Sequence, residues 1–302
     1  LSRESFRRSL RDKGPLSLNA RPSKKREGEI LHVAKSPVVT MASTTPIYDG
    51  IRIMTKEGFR RIPIANPGTR TLEGIVTATD IIDYLGGGKK FQIIQKRFAG
   101  NIFKAINEPI KLIMTKKVVS VQTSAKMSKA IELMTRQNLG GLPVVDGKNR
   151  VKAIITERDI ANMFADRISG VAVARLMSEK VVTAIPKTTI FEAERTMTTQ
   201  GFRRLPIISE GKVVGIITAM DIIRFFGTGK VFRYLKSGTM TQVLSTPAVE
   251  IATKDVSTIE PNVDVGQAAK IMQEKNIGAL PVVKSEKLVG IVTERDFFKI
   301  IE

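Results

Sequence analysis

The strongest constraint on this 302-residue chain is a segment it spells four times. Gly74–Asp80 (GIVTATD), Ala153–Asp159 (AIITERD), Gly215–Asp221 (GIITAMD) and Gly290–Asp296 (GIVTERD) each carry a β-branched apolar run that ends in Thr-x-x-Asp. Pro63, Pro143, Pro206 and Pro281 stand 15 to 17 residues before the four aspartates. Such a period marks a repeat architecture, in which a unit too small to cover its own apolar face packs against its copies.

One repeat read outward gives the unit. Val181 to Ile185 is β-branched, and Thr189 to Gln200 places Ile190, Ala193 and Met197 at helical spacing, with Gly201 as the stop. Leu205 to Ile208 and Val213 to Thr218 read as strands around an Glu210-Gly211 turn, and Asp221 to Phe226 as a second helix. The order βαββα predicts an α/β fold in which copies pair. The copies alternate in kind. Repeats one and three share GFRR-Ile/Leu-Pro-Ile and end in the glycine-rich stretches Gly86-Gly87-Gly88-Lys89 and Gly227-Thr228-Gly229-Lys230. Repeats two and four share Thr-Glu-Arg-Asp. Duplication of a two-repeat ancestor predicts a first pair at 30–167 (repeats about 30–88 and 110–167) and a second at 168–302 (repeats about 168–228 and 245–302). The glycine stretches lack phosphate-loop spacing and follow a helix, so they read as linkers.

Charge narrows the partners. Forty-nine Lys and Arg against 29 Asp and Glu leave +20, which favours polyanions such as nucleic acid, anionic surfaces or phosphorylated ligands. Residues 1–29 form a basic arm carrying Arg3, Arg7, Arg8, Arg11, Lys13, Arg21, Lys24, Lys25 and Arg26, a candidate RNA contact. With no Cys and the single His32, there is no donor set for a zinc site, an iron-sulfur cluster or a thiol nucleophile, and no metal is expected. No apolar run reaches a membrane span, so a soluble, cytoplasmic protein without membrane association is expected.

The Thr-x-x-Asp element lies where a strand feeds a helix. Thr at the N-cap with an acid three residues on is close to a capping box, which needs no ligand. Four copies of the same pair ask for more, since capping accepts several residue types. A Thr hydroxyl and helix N-terminal amides suit a phosphate, and a nearby carboxylate suits a ribose diol. Arg60-Arg61 and Arg203-Arg204 recur at one register before a strand, whereas repeats two and four have Gly140-Gly141 and Gly278-Ala279 there. Guanidinium on one wall and space on the other describe a cleft for a phosphorylated planar ligand. Met54, Met134, Met197 and Met272, at helical spacing, read as core.

These residues resemble the CBS-domain family, the regulatory repeats named after cystathionine β-synthase, from about Ile30 to the C-terminus. The layout is similar to archaeal four-CBS proteins and to the gamma subunit of AMP-activated protein kinase, which implies two tandem modules forming a disc. The resemblance assigns ribose and phosphate contacts to Asp80 with Thr77 and to Asp221 with Thr218, and phosphate contacts to the Arg pairs. By the same resemblance the adenine lies against a partner repeat. One site then combines Thr77, Asp80, Arg60 and Arg61 with Leu139, Gly140 and Ala130, and another Thr218, Asp221, Arg203 and Arg204 with Ile277, Gly278 and Ala268. Weaker sites fall on Thr156, Arg158 and Asp159 and on Thr293, Arg295 and Asp296, which lack an Arg pair.

The expected function is non-catalytic sensing of AMP, ADP or ATP. The alternatives are an RNA- or ribosome-associated factor and a regulatory subunit of an enzyme or kinase, with S-adenosylmethionine as a competing ligand and a homodimer as the expected assembly. Few aromatics, 5% of the chain, argue for phosphate and shape contacts with RNA over base stacking.

Overall fold

A computed structural model of the chain describes residues 29–165, 167–235 and 240–301. The basic arm residues Arg3, Arg7, Arg8, Arg11, Lys13, Arg21, Lys24, Lys25 and Arg26 lie outside them. Among the described residues no helix is long and apolar enough to cross a membrane.

Repeat three shows how the sequence makes its elements. Thr189 caps helix Ile190–Gln200: its hydroxyl accepts the Glu192 N–H at 3.2 Å, while its own N–H donates to Glu192 Oε2 at 2.8 Å. Two otherwise orphaned donors are thereby satisfied. The helix ends at Gly201, whose φ of 72° lies in the left-handed region that a side chain disfavours. Its inner face, Ile190, Ala193 and Met197, is wholly buried, and a side chain the size of Met197 contributes about 2 kcal/mol by leaving water. Strands Arg204–Ser209 and Lys212–Thr218 then pair antiparallel around Glu210-Gly211, both at positive φ as a tight hairpin turn requires. The four prolines occupy one register, opposite Ile75, Ile154, Ile216 and Ile291. Met54, Met134, Met197 and Met272 are all core.

The first strand of the predicted unit is much reduced. In repeat three it is a single parallel bridge, Ala184 to Ile207, held by Ala184 N–H to Pro206 O and Ile208 N–H to Ala184 O, both at 2.8 Å. Ile185 is exposed and Pro186 has no N–H to extend the ladder. Among the described residues, repeat two alone lengthens this bridge into a two-residue strand, Val121–Gln122, parallel to Gly141–Val145.

Two compact units result, and each joins alternate repeats. Among the described residues, one contains 39–118 and 182–256, repeats one and three; the other contains 119–181 and 257–301, repeats two and four, together with residues 29–38. In the first unit helix Ile47–Glu57 packs on helix Ala219–Gly227, and helix Ile190–Gln200 packs on a π-helical turn at Asp83–Gly87. Its core is one continuous apolar cluster running from Met41 to Ala248. The second unit has two smaller clusters, one centred on Phe164 and Phe297, the other on Met134, Leu142 and Ile155. Each borrows from the other repeat: Phe164 of repeat two lies with the repeat-four residues, and Phe298 of repeat four with those of repeat two.

The glycine-rich stretches are not linkers but packing surfaces. A Cβ on Gly86 would lie 2.5 Å from Glu194 Oε2, and one on Gly227 would lie 2.0 Å from Thr55 Oγ1, so glycine is what lets these helices approach.

Candidate functional site

The four strand-to-helix junctions share one geometry. Thr77, Thr156, Thr218 and Thr293 each stand at the N-cap in extended backbone, opposite the first residue of the preceding strand: Arg61, Gly141, Arg204 and Ala279. The residue before that strand closes the turn, its carbonyl accepting the N–H just after the Thr. These contacts run from Ala78 to Arg60 O at 2.8 Å, Ala219 to Arg203 O at 3.0 Å, Glu157 to Gly140 O at 3.2 Å and Glu294 to Gly278 O at 3.2 Å. The backbone of Arg60-Arg61 and Arg203-Arg204 is thus brought to Thr77-Asp80 and Thr218-Asp221 within the unit of repeats one and three.

All four junctions are complete capping boxes. The Asp Oδ2 accepts the Thr N–H at 2.8 Å in every copy, and the Thr hydroxyl donates to the same oxygen at 2.6 Å in repeats one to three and 2.8 Å in repeat four. One carboxylate oxygen is therefore spent on the fold, and Oδ1 is left to act outward. Burial pushes the Asp159 carboxyl up, against the opposing Thr156 hydrogen bonds and the charge of Lys35. Burial does the same to Asp221, against Thr218 and Arg224.

Three of the outward oxygens meet cations that lie outside the Thr-x-x-Asp motif and the Arg pairs. Lys90 Nζ donates to Asp80 Oδ1 at 2.5 Å, Arg224 Nη1 to Asp221 Oδ1 at 3.1 Å and Lys299 Nζ to Asp296 Oδ1 at 2.6 Å. Arg224 and Lys299 follow their aspartates by three residues, a spacing visible in the sequence. Lys90 comes ten residues later and reaches back only because the π-helical turn folds the chain.

Repeats two and four use their arginines on each other. Arg158 Nε donates to Glu294 Oε1 at 2.7 Å, and Arg295 Nε to Glu157 Oε1 at 2.5 Å, with both glutamates almost fully buried. Arg158 also reaches Asn276. The remaining expected residues lie in this unit: Leu139, Gly140 and Ile277 half-buried or at strand starts, Gly278 buried, and Ala130 and Ala268 enclosed in helices Met127–Arg136 and Val265–Glu274. They belong to a different compact unit from the two Arg-bearing junctions.

Four tandem βαββα repeats with a common strand-to-helix junction define a class of protein built by duplication. The CBS-domain family model matches residues 28–87, 110–166, 173–227 and 248–302, and the chain belongs to that family. It is 36% identical over 264 residues to the uncharacterised protein MJ1225 of Methanocaldococcus jannaschii, covering 87% of this chain and 94% of that one. The crystal structure of MJ1225, described as a candidate archaeal homologue of g-AMPK, superposes with a TM-score of 0.87 at 34% identity, over 91% of this chain and all of that one. An uncharacterised 33.4 kDa protein in a ribosomal RNA operon of Thermofilum pendens is 34% identical over 86% of each chain.

Proposed function

We propose that the chain is a non-catalytic regulatory protein that binds an adenine nucleotide, AMP, ADP or ATP, at its strand-to-helix junctions. The observation that most supports this is the twofold recurrence, inside one compact unit, of a basic pair set opposite a Thr/Asp junction: Arg60-Arg61 with Thr77 and Asp80, and Arg203-Arg204 with Thr218 and Asp221. A structural cap accounts for the Thr and one Asp oxygen. It does not account for a pair of guanidinium-bearing residues repeated at the same register beside it. Those groups suit phosphate and the outward Oδ1 suits a diol. Similarity to MJ1225, described as a candidate homologue of g-AMPK, supports the regulatory part of this reading.

Regulation follows from differential affinity: a nucleotide shifts the arrangement of the repeats only by as much as it binds one arrangement better than another. Phosphate number, read by the Arg pairs, supplies such a difference. The test is calorimetric titration of the full chain with AMP, ADP and ATP. Asp80→Ala with Asp221→Ala should remove most AMP binding, and unchanged affinity would reject the assignment. Binding of S-adenosylmethionine in preference to AMP would replace phosphate recognition with recognition of a phosphate-free sulfonium nucleoside.

A second reading, association with RNA, is favoured by the +20 charge and by the setting of the Thermofilum relative in a ribosomal RNA operon. It requires affinity that falls steeply with salt, by counterion release. Salt-insensitive binding, or none, eliminates it.

A further inference from the structure

The four junctions are identical up to Asp Oδ2 and differ at Oδ1. At Asp80 that oxygen is held by Lys90 Nζ, which also donates to Ile113 O at 2.8 Å. At Asp296 it is held by Lys299 Nζ, which also donates to Leu176 O at 2.7 Å. Both ammonium groups are thus bridges between a junction carboxylate and the carbonyl of a neighbouring turn, and the Lys90–Asp80 pair is largely withdrawn from water. At Asp221 the cation is Arg224, on a longer bond and with a half-exposed side chain. At Asp159 the Lys35 charge acts on the carboxylate but no cation is hydrogen-bonded to it among the described residues, and Asn162 occupies the place that Arg224 and Lys299 hold three residues after their aspartates.

An ammonium and a vicinal diol compete for the same acceptor. Oδ2 already accepts two donors from Thr, so a diol that donates both hydroxyls needs both lone pairs of Oδ1 and must displace the lysine, whose charge-assisted N–H bond is stronger than one from a neutral hydroxyl. We propose that Lys90 and Lys299 are built-in competitors for the ribose hydroxyls at Asp80 and Asp296, so that a nucleoside with no phosphate to engage the Arg pairs fills the junction at Asp159 first. The inference rests on the nucleotide reading above and adds an order of occupancy to it. It also reverses the ranking by Arg pairs for a ligand without phosphate: adenosine belongs at Asp159.

The test is calorimetry of the full chain with adenosine, with 2′-deoxyadenosine as the probe lacking an intact diol. Lys90→Met with Lys299→Met should tighten adenosine binding at the weaker sites about tenfold, as expected for removal of one charge-assisted competitor, and leave 2′-deoxyadenosine nearly unchanged. Asn162→Lys should install the missing competitor and weaken the tightest adenosine site by a similar factor. Thermal melting of each variant checks folding, and Lys90→Gln with Lys299→Gln replaces the Met pair if that pair melts early. Adenosine affinity that is unchanged or lower in the Met or Gln pair, or a tightest site indifferent to Asn162→Lys, overturns the competitor. If AMP binds wild type and is lost in the Asp80→Ala, Asp221→Ala chain while the lysine variants change nothing, the nucleotide reading stands and the competitor alone falls. If no variant and no wild-type chain binds AMP or adenosine, both fall.

Discussion

The two compact units solve the same packing problem with opposite chemistry. Each brings the helix N-termini of two repeats together, and the two residues between Thr and Asp decide how. In the unit of repeats two and four they are Glu-Arg, and the result is a reciprocal pair of ion bridges, Arg158 to Glu294 and Arg295 to Glu157, across two separate apolar clusters. In the unit of repeats one and three they are Ala78-Thr79 and Ala219-Met220, and the apolar core runs through without a break. That unit nevertheless buries a carboxylate of its own. Glu194 is fully enclosed between helix Ile190–Gln200 and the turn at Gly86, and neither of its oxygens has a hydrogen-bond partner among the described residues. The comparison separates burial from pairing: Glu157 and Glu294 are buried against guanidinium groups, whereas Glu194 is buried with no hydrogen-bond partner among the described residues.

The largest effect is expected from breaking the paired side. Glu294→Ala leaves Arg158 with a desolvated charge and without its main carboxylate, and should cost about 3 kcal/mol, since loss of one member of a buried pair is worse than loss of both. Chemical denaturation measures it, and Arg158→Met combined with Glu294→Met should recover most of the loss. A cost under about 0.5 kcal/mol would place these bridges with ordinary surface pairs.

The unpaired side should respond with the other sign. Burial drives the Glu194 carboxyl well above its ordinary value, so the folded state keeps a proton that the unfolded chain releases. Stability is then greatest below the ordinary carboxylate range and falls as pH rises toward the raised value, because the unfolded state binds fewer protons across that window. Glu194→Met, similar in length and a good helix former, should stabilise the protein by about 2 kcal/mol at pH 8, by less at pH 5, and flatten the pH dependence. Urea unfolding at the two pH values checks this; a variant less stable than wild type at pH 8 would mean that Glu194 has an ionic partner.

The smallest effect tests what the units share. Thr77→Val and Thr156→Val each remove the cap hydroxyl from one unit and should cost about 1 kcal/mol apiece. Equal losses would locate the difference between the units in the residues inside the motif; unequal losses would move it to the cap.

Much of this was legible in the residues. The repeat count, the hairpins, the capping boxes, the stop at Gly201 and the buried methionines all depend on contacts within a few positions, which a sequence displays directly. The lysine at Asp80 was not legible, because Lys90 lies ten residues downstream beyond a turn that read as a linker. Nor was the short first strand, whose single bridge depends on Pro186 and on how little of Ile185 the sheet covers.

By itself the sequence determined the unit: Thr-x-x-Asp closes a ring of hydrogen bonds over three residues and needs no distant partner. Tertiary structure decided which units meet and which charges find each other. Arg158 and Glu294 are 136 residues apart, and Arg295 and Glu157 are 138 apart. Glu157, Glu194 and Glu294 are the same letter in the chain, and only the packing of alternate repeats gives Glu157 and Glu294 a guanidinium while leaving Glu194 without a hydrogen-bond partner among the described residues. Local bonds are fixed by spacing; the cost or gain of a buried charge is fixed by whatever the fold sets beside it.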